Sequence, residues 1–350
     1  PTLTFQRARD LNPRGDAMVV RSSIVERLQD ARERGIAYLL DHQRDDGAVG
    51  EPERAGLGPY YKTLWAFASA GRTDAGNRLA TWVRGNVQTD EGDFAGPMRG
   101  TLQDNNWAYP NAWLICGAQK LGRFDVATRG MRHLLTLQDP STGGFRMQPG
   151  REDSIQDLLN ASQAGNAALL TGHVDAANRV AGFLHMMWDA QPHADRELFF
   201  VYKPGIGLRT DFPEERQKLH SIRVDAPRQA YFNMGIAAAF LVRLAQATGD
   251  QSQVDLAKNY LEIGFNVLDE MYETAQVGKV GWGSALVYGA TGDQRYERLA
   301  ERVGEAMIAQ QTDSGGWDNT GGYVNDAIRI EVTAEFVVLL DEMVGGLASR

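Results

Sequence analysis

Apolar helical segments recur along this chain at intervals of about fifty residues. Five of them end at a glycine, and a polar stretch with an early aspartate follows each glycine. Glycine adopts the left-handed conformation that closes a helix, and the helix dipole favours an aspartate in the first turn of the next helix. The pattern therefore predicts repeated helical hairpins. The closing glycines are Gly71, Gly122, Gly172, Gly249 and Gly292.

A second motif marks the ends of several outer helices. It consists of a glutamine, an acidic turn, a glycine and, in three of its four copies, an aromatic residue. The glutamine amide can satisfy free backbone groups at a helix end, glycine permits a tight turn, and the aromatic ring fills the space between hairpins. The copies begin at Gln43, Gln88, Gln138 and Gln311.

The two motifs together predict six helix pairs and an all-α fold. The amphipathic outer helices are expected at 24–43, 73–88, 124–138, 174–190, 251–275 and 294–311. The inner helices are expected at 59–70, 108–121, 155–171, 229–248, 281–291 and 325–346. The inner set is apolar on nearly all sides, which is typical of buried helices. Six hairpins of this kind favour a closed (α/α)6 toroid around a central cavity.

We expect one toroid domain at 24–350, preceded by an N-terminal extension at 1–23. The connection 191–228 is the main departure from the repeat. Loops longer than about 15 residues in compact domains are commonly lids or binding elements. This loop is therefore predicted to cover one mouth of the ring and to turn His220 or Arg223 towards the cavity.

The glutamine motif resembles the repeat of terpene (squalene and hopene) cyclases and of protein prenyltransferase β subunits. The first copy matches best, with Arg34, Tyr38, Gln43 and Gly47 in the order and spacing of the cyclase motif. The resemblance implies a helical toroid and a cyclase-like enzyme. The catalytic signatures Asp-x-Asp-Asp and Asp-Asp-x-x-Asp are absent, and Cys116 lacks the aspartate of the zinc-binding Asp-x-Cys pair.

Composition narrows the range of partners. The formal net charge of −9 and the lack of a basic run argue against binding to nucleic acid or anionic membranes. No uninterrupted apolar stretch of about 18 residues is present, so no membrane span is expected. The polar N-terminus lacks the apolar core of a signal peptide, and a cytoplasmic location is expected. The predicted partner is a small-molecule substrate, with homo-oligomerisation left open.

Four residues are candidates for proton transfer. Asp157 is placed one turn inside an apolar inner helix, where burial raises the pKa of an unpaired carboxyl. His220 lies in the long loop. Asp104 precedes an inner helix and suits capping as well as catalysis, and Asp326 can pair with Arg329 three residues later.

Polar and aromatic residues at the entrances of the inner helices form the predicted substrate-binding set. Aromatic walls with a few acids and amides are typical of small-molecule pockets, although aromatic plugs and helix caps use the same residue types. The set comprises Tyr61, Lys62, Trp107, Asn111, Arg223, Tyr231, Asn233, Trp282, Trp317 and Tyr323.

Three functions remain open at this point. The first is a cyclase-like lyase or isomerase that uses acid–base side chains on an apolar or partly apolar molecule. The second is a carbohydrate-active hydrolase, lyase or epimerase, and the third is a non-catalytic binding ring. The sequence has no phosphate-binding glycine loop and no His–carboxylate cluster, so neither an organic cofactor nor a metal is predicted.

Overall fold

The computed structural model describes residues 13–101, 103–318 and 325–350, with side chains described from residue 24 onward except at residue 276. Helices account for 63% of the chain, which confirms the predicted all-α toroid. The outer helices are α1 (Pro13–Asp41), α5 (Thr73–Asn86), α7 (Phe124–Thr136), α9 (Val174–Asp189), α11 (Ser252–Glu262) and α13 (Gln294–Ala309). The inner helices are α4 (Thr63–Ser69), α6 (Ala108–Lys120), α8 (Leu158–Leu170), α10 (Phe232–Thr248), α12 (Gly278–Thr291) and α14 (Asp326–Leu347).

The inner helices form a closed ring. Each packs against the next along the chain, and α14 packs against α4. On the outside, α1 packs against both α13 and α14, so the first outer helix lies beside the last hairpin. No helix among the described residues is long and apolar enough to cross a membrane.

Several boundaries differ from the sequence prediction. The first helix begins at Pro13, within the segment predicted as an N-terminal extension. The first inner segment is interrupted at Lys62, which separates α3 (Gly58–Tyr61) from α4; a short α2 (Pro52–Ala55) precedes them. The fifth outer helix is shorter than predicted, because α11 ends at Glu262 and short 3-10 turns continue to Val277.

The glutamine of the second motif joins each turn to the next outer helix. The Nε2 atom of Gln138 donates to the carbonyl of Gly143 in its own turn (2.9 Å) and to that of Ala176 in α9 (3.0 Å). The two earlier copies make the same pair of contacts with α5 and α7. Gln311 donates to Ala31 of α1 (2.8 Å), so the same contact joins the last outer helix to the first.

The long connection folds into short strands at one mouth of the ring. A three-stranded antiparallel sheet joins β1 (Gln156–Asp157), β3 (Val201–Lys203) and β4 (Gly207–Leu208). A second antiparallel pair joins β2 (Glu197–Phe199) to β5 (Ser221–Arg223). We call the connection 191–228 the insertion. Since β1 immediately precedes α8, the pairing of β3 with β1 attaches the insertion to the entrance of an inner helix.

Glycines allow the inner helices to approach backbone to backbone. A Cβ atom added to Gly235 in α10 would lie 2.1 Å from the carbonyl oxygen of Lys279, at the start of α12. Such a contact requires the two helices to separate, since neither side is a flexible side chain. Gly346 in α14 faces the backbone of Ala285 in α12 in the same way.

We predict that Gly235→Ala destabilises the protein by about 2 kcal/mol or more, because the methyl group overpacks the contact between α10 and α12. Gly182→Ala is the matched control: Gly182 is exposed on α9 and its added Cβ would meet nothing within 4 Å. The control should gain up to about 1 kcal/mol from helix propensity. Denaturant unfolding of both variants measures the difference, and equal stabilities would contradict the packing argument.

Candidate functional site

A cavity of about 300 Å³ lies on the axis of the ring, at the end where the chain enters the inner helices. We call it the axial cavity. Every inner segment of the ring contributes to its wall, including Lys62 at the junction of α3 and α4. Residues from the six segments are Lys62, Tyr109, Leu159, Phe232, Lys279 and Glu335.

Aromatic side chains form the floor beneath the axial cavity. Trp65, Trp113 and Trp282 lie three or four residues after cavity-lining positions on α4, α6 and α12, which is one helical turn deeper. The ring centroid of Trp65 lies 4.8 Å from that of Trp113 and 6.4 Å from that of Trp282. Because all three are fully buried, Trp282 belongs to the floor and not to the wall in which it was predicted.

Four charged side chains meet in the axial cavity. The Nζ atom of Lys62 lies 2.9 Å from Oε1 of Glu331 and also contacts Glu335, which in turn contacts Lys279. The hydroxyl of Tyr61 donates to Glu331 at 2.5 Å. The four charged side chains are at most 14% exposed and sum to zero formal charge.

Two members of this cluster, Glu335 and Lys62, are held in their charged forms by their neighbours. Burial alone would raise the pKa of Glu335, but the ammonium groups of Lys279 and Lys62 outweigh burial and lower it to about 2. Burial likewise disfavours the charged form of Lys62, yet the carboxylates of Glu331 and Glu335 hold its pKa well above the usual value. Glu335 and Lys62 are therefore suited to binding and orienting polar groups and unsuited to exchanging protons at neutral pH.

A larger cavity of about 740 Å³ adjoins the axial cavity and shares Leu159 and Phe232 with it. We call it the lateral cavity. Its walls are the entrances of α8 and α10, the loop around Asn106, and the insertion between Phe200 and His220.

Asp157 lies in the wall of the lateral cavity, with 7% of its surface exposed. It precedes α8 as the N-cap residue and is not one turn inside the helix, as the sequence suggested. Its Oδ1 atom accepts from the backbone N–H of Asn160 (2.7 Å) and from that residue's side-chain amide (2.9 Å). Its Oδ2 atom has no hydrogen-bond partner among the described residues.

The pKa of Asp157 is raised to about 6 by burial, which the two hydrogen bonds from Asn160 only partly offset. The carboxyl therefore changes its protonation state close to neutral pH. Asn160 also fixes its direction, because the amide that holds Oδ1 donates at the same time to Oδ1 of Asn106 (3.0 Å). The free oxygen is thus held in one orientation, as a proton-transfer group requires.

One residue of the insertion holds the entrance of α8 next to His220. The carbonyl of Phe200 accepts from the N–H of Leu158, the residue after Asp157 (3.2 Å). The N–H of Phe200 donates to the carbonyl of His220 (2.9 Å). Asp157 and His220 are far apart in sequence, and the backbone of this one residue brings them to the same cavity.

His220 has a defined orientation in the wall of the lateral cavity. Its Nδ1 atom lies 3.0 Å from the carbonyl of Arg216, and its ring stacks on Phe212 at a centroid distance of 4.6 Å. Since a carbonyl only accepts, Nδ1 carries a hydrogen, and Nε2 is the acceptor in the neutral ring.

Asn233 adds an unsatisfied acceptor to the same wall. The residue is 1% exposed, and its Nδ2 atom donates to the carbonyl of Ala230 (3.1 Å). Its Oδ1 atom is buried without a hydrogen-bond partner. Because a buried acceptor without a donor is costly, a bound hydroxyl or amine would be stabilised here.

The structure thus brings three of the predicted residues to the lateral cavity and one to the axial cavity. Asp157, His220 and Asn233 line the lateral cavity, and Lys62 lines the axial cavity. The hydroxyl of Tyr61 donates to Glu331, which also lines the axial cavity.

The other predicted residues that the structure describes line neither cavity. Asp326 is 85% exposed because Asn325 takes the capping position of α14, and Asp104 is also exposed. Arg223 is absent from the walls of both cavities and pairs with Glu214 at 2.9 Å and with Asp225 at 3.1 Å.

The predicted aromatic and amide contacts are mostly structural. Trp107 and Asn111 both donate to Asp93, and Trp317 donates to the carbonyl of Met307 as a buried plug. The buried hydroxyl of Tyr231 donates to a carbonyl of the insertion. Tyr323 lies outside the described residues.

The substrate-binding prediction missed Lys279, Glu331 and Glu335. A signal was present, since Glu331 and Glu335 lie one turn apart on an apolar helix and Lys279 begins another apolar helix. Each looked isolated because their contact depends on the closure of the ring.

No group of three or more His, Cys, Asp or Glu side chains within 13–101, 103–318 and 325–350 is placed to hold a metal ion. Cys116 is fully buried, and burial raises the pKa of its thiol to about 12. The thiol is therefore protonated at neutral pH and is no nucleophile.

Solved structures share this architecture, whereas no family model and no curated protein matches the sequence. A D-mannose isomerase superposes with a TM-score of 0.65 at 14% identity, over 89% of this chain and 97% of that chain. A cellobiose 2-epimerase from Spirochaeta thermophila gives 0.66 at 13% identity, over 97% and 99%. A type II terpene cyclase from Scytonema gives 0.58 at 14% identity, over 93% and 99%. At these identities the likeness establishes the (α/α)6 fold alone.

We predict a specific pH dependence for the stability of Asp157→Asn. The amide keeps an oxygen for the N–H of Asn160, so the helix cap survives. Raising the pKa of a carboxyl from 3.8 to about 6 corresponds to about 3 kcal/mol once it is ionised in both folded and unfolded chains. Because the folded carboxyl holds its proton longer, the wild type should lose stability relative to the variant as the pH rises from about 4 through about 6.

The free energy of unfolding, measured by denaturant titration from pH 4 to pH 8, tests this prediction. The difference between the two proteins should level off above the pKa of the folded carboxyl. A difference that does not change with pH would show that Asp157 is not raised in pKa.

Proposed function

We propose that this protein is an enzyme that removes a proton from a carbon beside a carbonyl group of a small polar molecule. Isomerases, epimerases and lyases that act beside a carbonyl group can share this first step. Asp157 is the proposed base. The observation that carries the proposal is a buried carboxyl with a pKa of about 6 and a free Oδ2 atom in a cavity of about 740 Å³.

The choice of Asp157 rests on the state of the other acids. Glu331 and Glu335 are bound by two lysines, and the pKa of Glu335 is about 2. Asp153 at the cavity edge is exposed and paired with Lys203. A general base works best when its pKa lies close to the working pH, and Asp157 meets that condition.

The proposed proton transfer consumes no external oxidant or reductant. Oδ2 of Asp157 takes the proton, the carbon–hydrogen bond breaks, and its electron pair forms an enolate with the neighbouring carbonyl. The same carboxylic acid then returns the proton to the other carbon or to the other face. Where the proton returns to the other carbon, the Nε2 atom of His220 is proposed to take the proton of the hydroxyl that becomes the new carbonyl. It then gives that proton to the oxygen of the former carbonyl, which becomes a hydroxyl, and His220 is neutral again.

A polar substrate is favoured over an isoprenoid. Four charged side chains, those of Lys62, Lys279, Glu331 and Glu335, line the axial cavity, and an apolar isoprenoid would cover them without offering a hydrogen-bond partner. The glutamine motif that resembles terpene cyclases makes backbone contacts between outer helices and touches neither cavity. The named activities of the mannose isomerase and the cellobiose 2-epimerase, which act on sugars, are consistent with this choice.

Glycoside hydrolysis is less well supported. That reaction generally needs two carboxyl groups that flank one bond, a general acid and a nucleophile or base. The lateral cavity has one buried carboxyl, Asp157, and one exposed carboxylate, Asp153.

We predict that the purified protein exchanges a carbon-bound hydrogen of a sugar with solvent. Mannose, cellobiose, glucuronate and glucose 6-phosphate are incubated in D₂O, and proton NMR follows the hydrogen next to the carbonyl carbon. Asp157→Asn should lower the exchange rate by about 10²–10⁴-fold. Because the base must be ionised, kcat/KM should fall as the pH drops below about 6.

The matched control is Asp175→Asn, which changes an exposed carboxyl in the first turn of outer helix α9. It should exchange at the wild-type rate. Exchange that survives in Asp157→Asn would remove this residue as the base. Conversion of squalene or geranylgeraniol without any sugar exchange would favour a cyclase instead.

A further inference from the structure

We propose that the lateral cavity binds an anionic polyhydroxy compound, a sugar carboxylate or a sugar phosphate, through Arg216, Lys218 and Arg228. This assignment names the substrate class for the proposed function and rests on that function only for turnover. The charges of the cavity wall would bind the anion whether or not the protein turns the ligand over.

The wall of the lateral cavity is positive although the chain is acidic. Five basic side chains and two acidic ones line it, against a formal net charge of −9 for the chain. The acidic pair is Asp153 and Asp157. The basic residues are Arg151, Lys203, Arg216, Lys218 and Arg228.

Two of the five cations share one carboxylate, that of Asp153. Nζ of Lys203 lies 3.2 Å from Oδ2 of Asp153, and Nε of Arg151 lies 3.4 Å from its Oδ1. Arg216, Lys218 and Arg228 pair with no acidic side chain of the part of the chain that the structure describes. All three line the cavity without a counterion from the described residues.

The backbone at Arg228 holds its side chain at the cavity against a conformational preference. Its φ of 52° lies in the left-handed region, which few residues other than glycine adopt. The next residue, Gln229, is 2% exposed and fixes the segment. Its Nε2 donates to the carbonyls of Arg223 (2.7 Å) and Ala226 (2.6 Å), and its Oε1 accepts from the N–H of Arg223 (2.6 Å).

A second observation points to hydroxyl groups on the same ligand. Oδ1 of Asn233 is buried in this wall and lacks a donor. A ligand hydroxyl would satisfy it, while an anionic group on the ligand would satisfy the three cations. The combination of one anionic group with hydroxyls is that of a sugar acid or sugar phosphate, and guanidinium groups recognise carboxylate and phosphate with paired hydrogen bonds.

The test is isothermal titration calorimetry of the full chain with glucuronate, glucose 6-phosphate, glucose and inorganic phosphate. We expect at least one charged sugar to bind about tenfold or more tightly than glucose, and its affinity to fall as salt is raised. Comparison of glucuronate with glucose 6-phosphate shows which anionic group the cavity prefers. Inorganic phosphate shows how much of the affinity the charge alone provides.

The decisive variant is the double substitution Lys218→Gln and Arg228→Gln, and Arg298→Gln on outer helix α13 is the matched control. All three side chains are exposed, so folding should be preserved, and thermal melting checks it. The double variant should weaken binding of the charged sugar about tenfold or more, while the control binds as the wild type does.

Equal affinity for glucose and both charged sugars, absence of binding by either charged sugar, or unchanged binding by the double variant would each overturn the assignment. These outcomes are independent of the proton-exchange assay. Loss of anion binding in the double variant supports the anion assignment even if Asp157→Asn keeps its activity. Proton exchange by the wild type supports the proposed function even if no anion binds.

Discussion

The ring depends on a side-chain amide that binds two backbone carbonyls at once. In each copy of the motif, the glutamine Nε2 atom joins the carbonyl of its own turn to a carbonyl in the first turns of the next outer helix or, for Gln311, within α1. The turn glycine makes that approach possible. At Gly143 an added Cβ would lie 2.1 Å from the carbonyl of Arg179, one turn further along α9. Amide and glycine thus set the distance between neighbouring hairpins, and the contact from Gln311 to Ala31 sets it where the ring closes.

The candidate site lies where this contact is replaced. Gln191 ends α9 as the other glutamines end their helices, but its amide bonds to both the N–H and the carbonyl of Phe199. The chain therefore continues into β2 instead of turning directly into an inner helix. Strand β3 then pairs with β1. Phe200, just before β3, and His220, just before β5, line the cavity. A departure from the repeat at one junction is thus sufficient to build a cavity beside the axis of an otherwise regular ring.

The periodic features could be predicted from the sequence, because each repeat contains its own glycine, glutamine and apolar helix. The site could be predicted only in part. Asp157 was singled out for its apolar surroundings, which is the physical cause of its raised pKa, but its role as N-cap depends on strand pairing with the insertion. Trp317 looked like a cavity residue and is a plug, because aromatic composition does not distinguish the two. Lys279 and Glu335 become a pair only when α12 and α14 are packed in the closed ring.

Two apolar side chains keep two electrostatic environments apart at the same mouth. Leu159 and Phe232 line both cavities and lie between the ionised cluster and Asp157. The ammonium groups of the cluster lower the pKa of Glu335 but do not contribute to that of Asp157, which responds to burial and to Asn160 alone. Without this separation two positive charges would stabilise the Asp157 carboxylate and weaken it as a base near neutral pH. The partition therefore allows a cluster of ion-paired side chains and a titrating carboxyl to adjoin each other in one ring.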